Sequence, residues 1–332
     1  MARVYFATNR NPNRKNNPDD FGVGFSNDDG SANLRFGEAE ATTTKVKSVT
    51  VYPEQIDEED EDKSILGSKT LFELLRQRMQ ERKRDTVLFI HGFNNTFQDA
   101  LKSAAIIENK YRSEGNKKVN VMAVSWPSDG KATRYRRDRH DAQASGMAVA
   151  RGLVKAIKFL RDLAQEAMCK QKIHLVAHSM GNYVLRWTMQ ELREMSGSNL
   201  PRLLDQVILA AADEDDDAFE HDWKLARLPD LCKRVSVYSN RGDYILTGSD
   251  WTKGNPDRLG SDGPGRPNLL HGKVNSIDCT DVVPLGLSEP HGYYLMTDRV
   301  IRDINAALSG KDADVIRKRE PTTHSARFRL IK

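Results

Sequence analysis

Apolar residues along this chain recur with two different periods, and stretches of the two kinds alternate. A short continuous apolar run at residues 86–90 reads as a strand buried on both faces of a parallel sheet, 119–126 as the next buried strand, and 207–212, 234–239 and 274–279 as further strands. Between them, apolar residues return every three or four positions, as on one face of a helix. Ser68 begins one such stretch with Leu71, Leu74, Leu75 and Met79. Thr96 and Asp99 offer a capping pair for a second, with Phe97, Ala100, Leu101, Ala104 and Ile107 in register. A long third stretch carries Ala150, Leu153, Ile157, Leu160, Ala164 and Met168, and a last one Val300, Ile301, Ile304 and Leu308. Strand and helix alternate from Thr86 onward without an internal repeat, which predicts an α/β fold with a mostly parallel central sheet and helices on both faces.

Upstream, residues 4–8, 32–36 and 46–52 read as added strands, 9–20 as loop, and the acidic run 57–62 as solvated loop. Residues 1–85 are therefore expected to add strands to the same domain, 86–308 to form its core, and the basic residues 309–332 to lie on the surface or move. Composition narrows the partners. Among 332 residues, 51 basic and 47 acidic side chains leave a net charge of +4, so no whole-chain field argues for nucleic acid. No apolar run approaches the roughly 20 residues that span a bilayer, and the first residues lack the apolar core and cleavage site of a secretory signal. Three scattered cysteines, Cys169, Cys232 and Cys279, fit reduced thiols in a cytoplasmic protein better than disulfides or a zinc site. Neither a metal-ligand set nor a cofactor motif is found.

Sites in parallel sheets lie beyond the carboxyl ends of the strands, and His91, Trp126, Ser179, Asp213 and Asp243 all follow such ends. The most informative stretch is 172–183. Its apolar half is a strand, its second half opens a helix, and Ser179 stands between them with small Ala177 and Gly181 two residues either side. A serine on so sharp a turn exposes its hydroxyl above the sheet edge. The amide of Met180 then points outward at a helix N-terminus, where negative charge is favoured. A serine needs a base, and the base an orienting carboxylate. His291, in a turn late in the chain, is the best base; Asp243, beside Gly242 after a strand, is the best carboxylate. Asp213 is its rival, although the acidic run it begins is expected to raise its pKa and turn it to solvent. The loop opening His91-Gly92-Phe93 is placed to give a second oxyanion donor, the Phe93 amide.

Other features have two readings. Trp126 and Trp251 either line an acyl pocket or anchor core and loops. His178 and His91 read as packing and loop-shaping residues, His174 as a partly buried strand residue, and the basic stretch 134–139 as a solvated helix face. The Gly-, Pro- and Asp-rich segment 246–271 is expected to hang over the site edge and shape it.

With the elbow at Ser179, the His-Gly loop and the late Pro290-His291-Gly292, the chain resembles α/β-hydrolase-fold serine esterases and lipases. Within that superfamily it is similar to a group of bacterial hydrolases with His-Gly-Phe-Asn-Asn, Ser-Trp-Pro-Ser and Ala-His-Ser-Met-Gly segments, here at 91–95, 125–128 and 177–181. The likeness covers roughly residues 86–308, and Ala177 stands where the usual pattern has glycine. It implies a small-molecule ester substrate and an acyl-enzyme on Ser179, His291 and Asp243. Thioester, amide or acyl-transfer chemistry would use the same parts, and a non-catalytic binding protein could keep the fold.

Overall fold

The computed structural model describes residues 1–26, 30–54, 64–129, 131, 134–163, 169–197, 200–246, 257–284, 290–324 and 326–332. Eleven strands form the main sheet: β1 (Ala2–Thr8), β2 (Arg35–Ala41), β3 (Val46–Val51), β4 (Thr86–Ile90), β5 (Asn120–Ser125), β6 (Ile173–His178), β7 (Leu204–Ala210), β8 (Cys232–Ser239), β9 (Val274–Asp278), β10 (Arg319–Pro321) and β11 (Arg327–Leu330). Their spatial order is β10-β11-β9-β8-β7-β6-β4-β5-β1-β2-β3. From β1 to β11 in that order every neighbouring pair is parallel; β2, β3 and β10 are antiparallel additions at the two edges. The chain leaves β4 to one side for β5 and returns to its other side for β6. The loops after β4 and β6 therefore diverge, which opens a crevice at the switch point where sites of such sheets form.

Side chains alternate across the strands and feed hydrophobic cores on both faces. On one face, Val176 and Ile208 pack with Phe97 and Leu101 of α2 (Phe97–Lys110) and with Ile301 and Ile304 of the last helix, Asp298–Leu308. On the other, Leu175, Ala177 and Leu209 meet Val149 and Leu153 of α3 (Tyr135–Arg161) and Val184 and Leu185 of α4 (Gly181–Ser196). The first helix, α1 (Gly67–Arg82), buries Leu71, Leu75 and Met79 but leaves Leu74 partly in solvent. At α2 the expected capping pair forms in full, Thr96 and Asp99 bonding each other's backbone amides. Among the described residues no helix is long and apolar enough to cross a membrane.

Three expectations shift. The second strand runs over Arg35–Ala41, later than 32–36, because residues 35–41 pair along the whole of β1. Within the expected loop 9–20, Arg10–Pro12 pairs with Phe21–Phe25. The tail lies on the surface but is not loose: it supplies β10 and β11 at the sheet edge, and buried Arg319 clasps Asp303 at 2.6 Å while Tyr238 donates to the same carboxylate at 2.7 Å. An amphipathic stripe is not needed for a strand of three or four residues at a sheet edge, so periodicity gave no sign of it. The acidic run 57–62, with Ala164 and Met168, falls outside the described residues.

Candidate active site

Ser179 follows β6 immediately and is the left-handed residue of a strand-to-helix turn, with φ +51°. That conformation is strained for any residue with a β-carbon. It is held by the Ser179 amide donating to the Ala210 carbonyl at 3.0 Å and by the Ser179 carbonyl accepting from Asn182 Nδ2 at 3.0 Å. The turn presses against the exit of β4: a β-carbon on Gly181 would stand 2.6 Å from the carbonyl oxygens of Ile90 and His91. One on Gly92 would stand 2.7 Å from the Ser179 β-carbon. Two glycines thus let the serine turn and the His-Gly loop touch.

His291 lies on a single 3-10 turn, Pro290–Gly292, and its Nδ1 is 2.6 Å from Asp243 Oδ2. Asp243 is fully buried, and its other oxygen accepts from the amides of Ile245 and Leu246 at 3.2 and 3.4 Å. Asn240 ties the two turns together: its Oδ1 accepts from the Gly242 amide at 3.0 Å and its Nδ2 donates to the Pro290 carbonyl at 3.4 Å. His178 brings this pair to the serine. Its Nε2 donates to the His291 carbonyl at 3.2 Å, its ring stands 4.6 Å from the His291 ring, and it stacks on Tyr294. His178 therefore packs and hydrogen-bonds, and Ser179, His291 and Asp243 gather at one end of the sheet.

The loop after β4 is clamped from below. Buried His91 accepts Trp126 Nε1–H on its carbonyl at 2.9 Å and stacks on the Trp126 ring at 5.2 Å. Its Nδ1 is 2.8 Å from the Gly92 carbonyl, which can only accept, so Nδ1 carries the proton and Nε2 is the acceptor. The Gly92 carbonyl also takes Asn95 Nδ2 at 3.2 Å. Since carbonyl and N–H of one peptide point in opposite directions, the Phe93 amide is turned away from this clamp. Neither it nor the Met180 amide donates to another group among the described residues. Trp126 has no exposed surface and so anchors the loop and lines no pocket, which corrects the pocket-lining expectation. Trp251 falls outside the described residues, as do 247–256 of the segment expected to overhang the site.

Sequence reasoning missed two charged groups here. Arg10, just past β1, is wholly buried beneath the clamp, where its Nη2 donates to the Asn95 carbonyl at 2.7 Å. Burial pulls its guanidinium down to about 9 despite the fields of Asp138, Asp20, Asp99 and Asp129. Arg258, in the second half of segment 246–271, is wholly buried as well and lies 3.6 Å from Asp213 Oδ1 and 2.7 Å from Asp215 Oδ1. Asp213 also accepts Tyr135 O–H at 2.6 Å. Asp213 and Glu214 are thus buried and do not face solvent, because distant cations absorb the acidic run. The basic stretch is likewise not all solvated: the Arg139 guanidinium sits 3.8 Å over the Tyr183 ring. No local pattern of charge could reveal pairings with partners tens of residues away. His174 is wholly buried, 3.4 Å from Asp85.

These burials fix a pH dependence of stability. Burial, helped by Arg10, drives the His91 imidazole down to about 3; burial, helped by His291, drives His178 well below the histidine range. Unfolded, both take up protons below about pH 6.5, so each removes stability on acidification, about 1.4 kcal/mol per pH unit. Burial pushes the Glu214 carboxyl up to about 7, which works in the opposite sense: its neutral form is favoured in the folded chain, and stability falls as pH rises from 4.5 to 7. Two protons against one leave a net loss of about 1.4 kcal/mol per unit between pH 6 and 5. Urea unfolding should read that slope, and Glu214→Gln should roughly double it. A wild-type slope of zero would mean that one imidazole is charged in the folded protein.

A family model described as "alpha/beta hydrolase of unknown function (DUF900)" matches residues 69–310, about three-quarters of the chain. An uncharacterised protein, alr1448, of Nostoc sp. (strain PCC 7120 / SAG 25.82 / UTEX 2576) is 25% identical over 134 residues, covering 34% of this chain and 33% of that protein. The chain thus matches about a third of the length of this curated relative. No solved structure matches.

Proposed function

The chain belongs to the family of alpha/beta hydrolases of unknown function, and from that premise we propose that it hydrolyses carboxylic esters through an acyl-enzyme. The observation that carries this reading is the 2.6 Å bond between His291 and wholly buried Asp243, at the sheet end where Ser179 holds φ +51°. Ser179 Oγ attacks the ester carbonyl while His291 Nε2 takes its proton. Asp243 holds Nδ1–H, keeps the ring in the accepting tautomer and stabilises the imidazolium as it forms. The tetrahedral oxyanion lies between the Met180 and Phe93 amides. Collapse breaks the bond to the alcohol oxygen, which leaves with the proton from His291. Water then repeats the sequence on the acyl-enzyme, releasing acid and restoring Ser179. None of these steps calls on a metal or a cofactor. All three cysteines are free, which supports a home in the reducing cytoplasm.

A fluorophosphonate probe followed by peptide mapping tests the reading. Labelling should fall on Ser179 alone, and a panel of ester, thioester and amide substrates should be turned over fastest as esters. A folded protein that the probe does not label would instead be a binding protein on this scaffold. Preference for thioesters or amides would keep the triad and change the substrate.

A further inference from the structure

Arg10 lies outside the residues that the family model matches, 69–310, and among the described residues it forms no ion pair. A buried guanidinium without a carboxylate in contact is costly unless its donors are met by other acceptors. Nε donates to Ser125 Oγ at 2.9 Å. Nη1 donates to the carbonyls of Gly22 at 3.0 Å and Ser128 at 3.2 Å. Nη2 reaches the Asn95 carbonyl at 2.7 Å and His91 Nε2 at 3.5 Å. All but the bond to Gly22 end on the 91–95 and 125–128 segments. Those segments are also bonded to each other, through the Asn95 amide on Ser128 Oγ at 3.3 Å and Trp126 on the His91 carbonyl.

We propose that Arg10 is a positioning residue for the oxyanion site, setting the Gly92–Phe93 peptide so that the Phe93 amide faces the reacting carbonyl. The inference rests on the reading of Phe93 as an oxyanion donor. Arg10 acts by two routes that converge on one carbonyl. Its Nη2–H occupies His91 Nε2, which leaves the proton on Nδ1 to hold the Gly92 oxygen. The same nitrogen pins the Asn95 backbone, whose side chain donates to the Gly92 and Phe93 carbonyls at 3.2 and 2.8 Å. The planar fork matters: lysine could carry the charge but could not serve both acceptors with fixed geometry.

The test compares wild type with Arg10→Met and Arg10→Lys, reading ester kcat and KM, probe-labelling rate, melting temperature and the nitrogen shifts of His91. In wild type, His91 should be the neutral Nδ1–H tautomer down to about pH 4. Arg10→Met should lower kcat and the labelling rate by about 10²-fold, with KM within about twofold, because an oxyanion donor counts only as charge develops. Its His91 should show a mixture of tautomers. Arg10→Lys should recover only part of the loss. A folded Arg10→Met enzyme with wild-type kcat, or a loss confined to KM, overturns the proposal. Should Arg10→Met not fold, an Nε2–H tautomer in wild type, or full activity in Arg10→Lys, overturns it equally. If the probe fails to label wild type, the acyl-enzyme is what fails, while the His91 shifts still decide whether Arg10 sets this loop.

Discussion

Ser179→Ala should lower ester turnover by about 10⁴-fold or more and leave the protein folded. The size follows from the chemistry of the proposed acyl-enzyme: alanine has no oxygen to attack the carbonyl, so the nucleophile is lost outright. Folding is spared for a local reason. The Ser179 hydroxyl makes no hydrogen bond to a described group, while the bonds that hold the turn run through its backbone to Ala210 and Asn182. Alanine keeps the β-carbon that touches the Gly92 backbone, and it bears the strained φ of +51° no worse than serine does. Stability should therefore change by less than about 1 kcal/mol. Steady-state hydrolysis and thermal unfolding on one preparation decide the matter. A soluble Ser179→Ala protein with most of its activity would remove the acyl-enzyme altogether.

The chain disclosed most where a residue's chemistry and its neighbours in sequence act together. A parallel strand buried on both faces can be a continuous apolar run, so β4 was legible to both its ends, whereas β7 begins at Leu204, ahead of its apolar run, with the polar pair Asp205-Gln206. The Ser179 turn was legible because its crowding demands small residues at fixed offsets, and the structure shows why: a β-carbon on Gly181 would stand 2.6 Å from two carbonyl oxygens. What escaped was set by partners distant in sequence. Arg10 bonds Ser125 and Asn95, Arg258 meets Asp213, and Arg319 meets Asp303. Each of these arginines is buried, against the ordinary expectation that arginine faces water, and each is affordable only through groups that local pattern cannot reach. The same limit misdirected the reading of residues 213–217. A run of acids looks self-repelling and solvated until cations from 186, 224 and 258 are brought among them.

Burial alone does not separate Asp213 from Asp243 as the acid that orients His291. Asp213 cannot be set aside as exposed, since it is as deeply buried as Asp243 and also held by donors. Direction separates the two. Asp243 Oδ2 meets His291 Nδ1 at 2.6 Å, while Asp213 spends Oδ2 on Tyr135 and faces Arg258 with Oδ1. In Asp243→Asn the new amide can turn N–H toward Nδ1, driving His291 into the tautomer whose Nε2 already bears a proton and cannot take one from Ser179. Turnover should fall by about 10³ to 10⁴-fold with little change in KM. Asp213→Asn should leave turnover within about tenfold of wild type, because the Asn side chain still accepts from Tyr135 and the backbone bond from its amide to the Ser179 carbonyl, 3.2 Å, survives. Its cost should appear in stability, about 1–3 kcal/mol, as buried Arg258 loses the Asp213 carboxylate. Kinetics and urea unfolding on both variants thus give opposite signatures, one losing rate and the other losing stability. If Asp213→Asn loses the rate and Asp243→Asn keeps it, the acid that orients His291 comes from the earlier strand, and the 2.6 Å contact is not the one used in turnover.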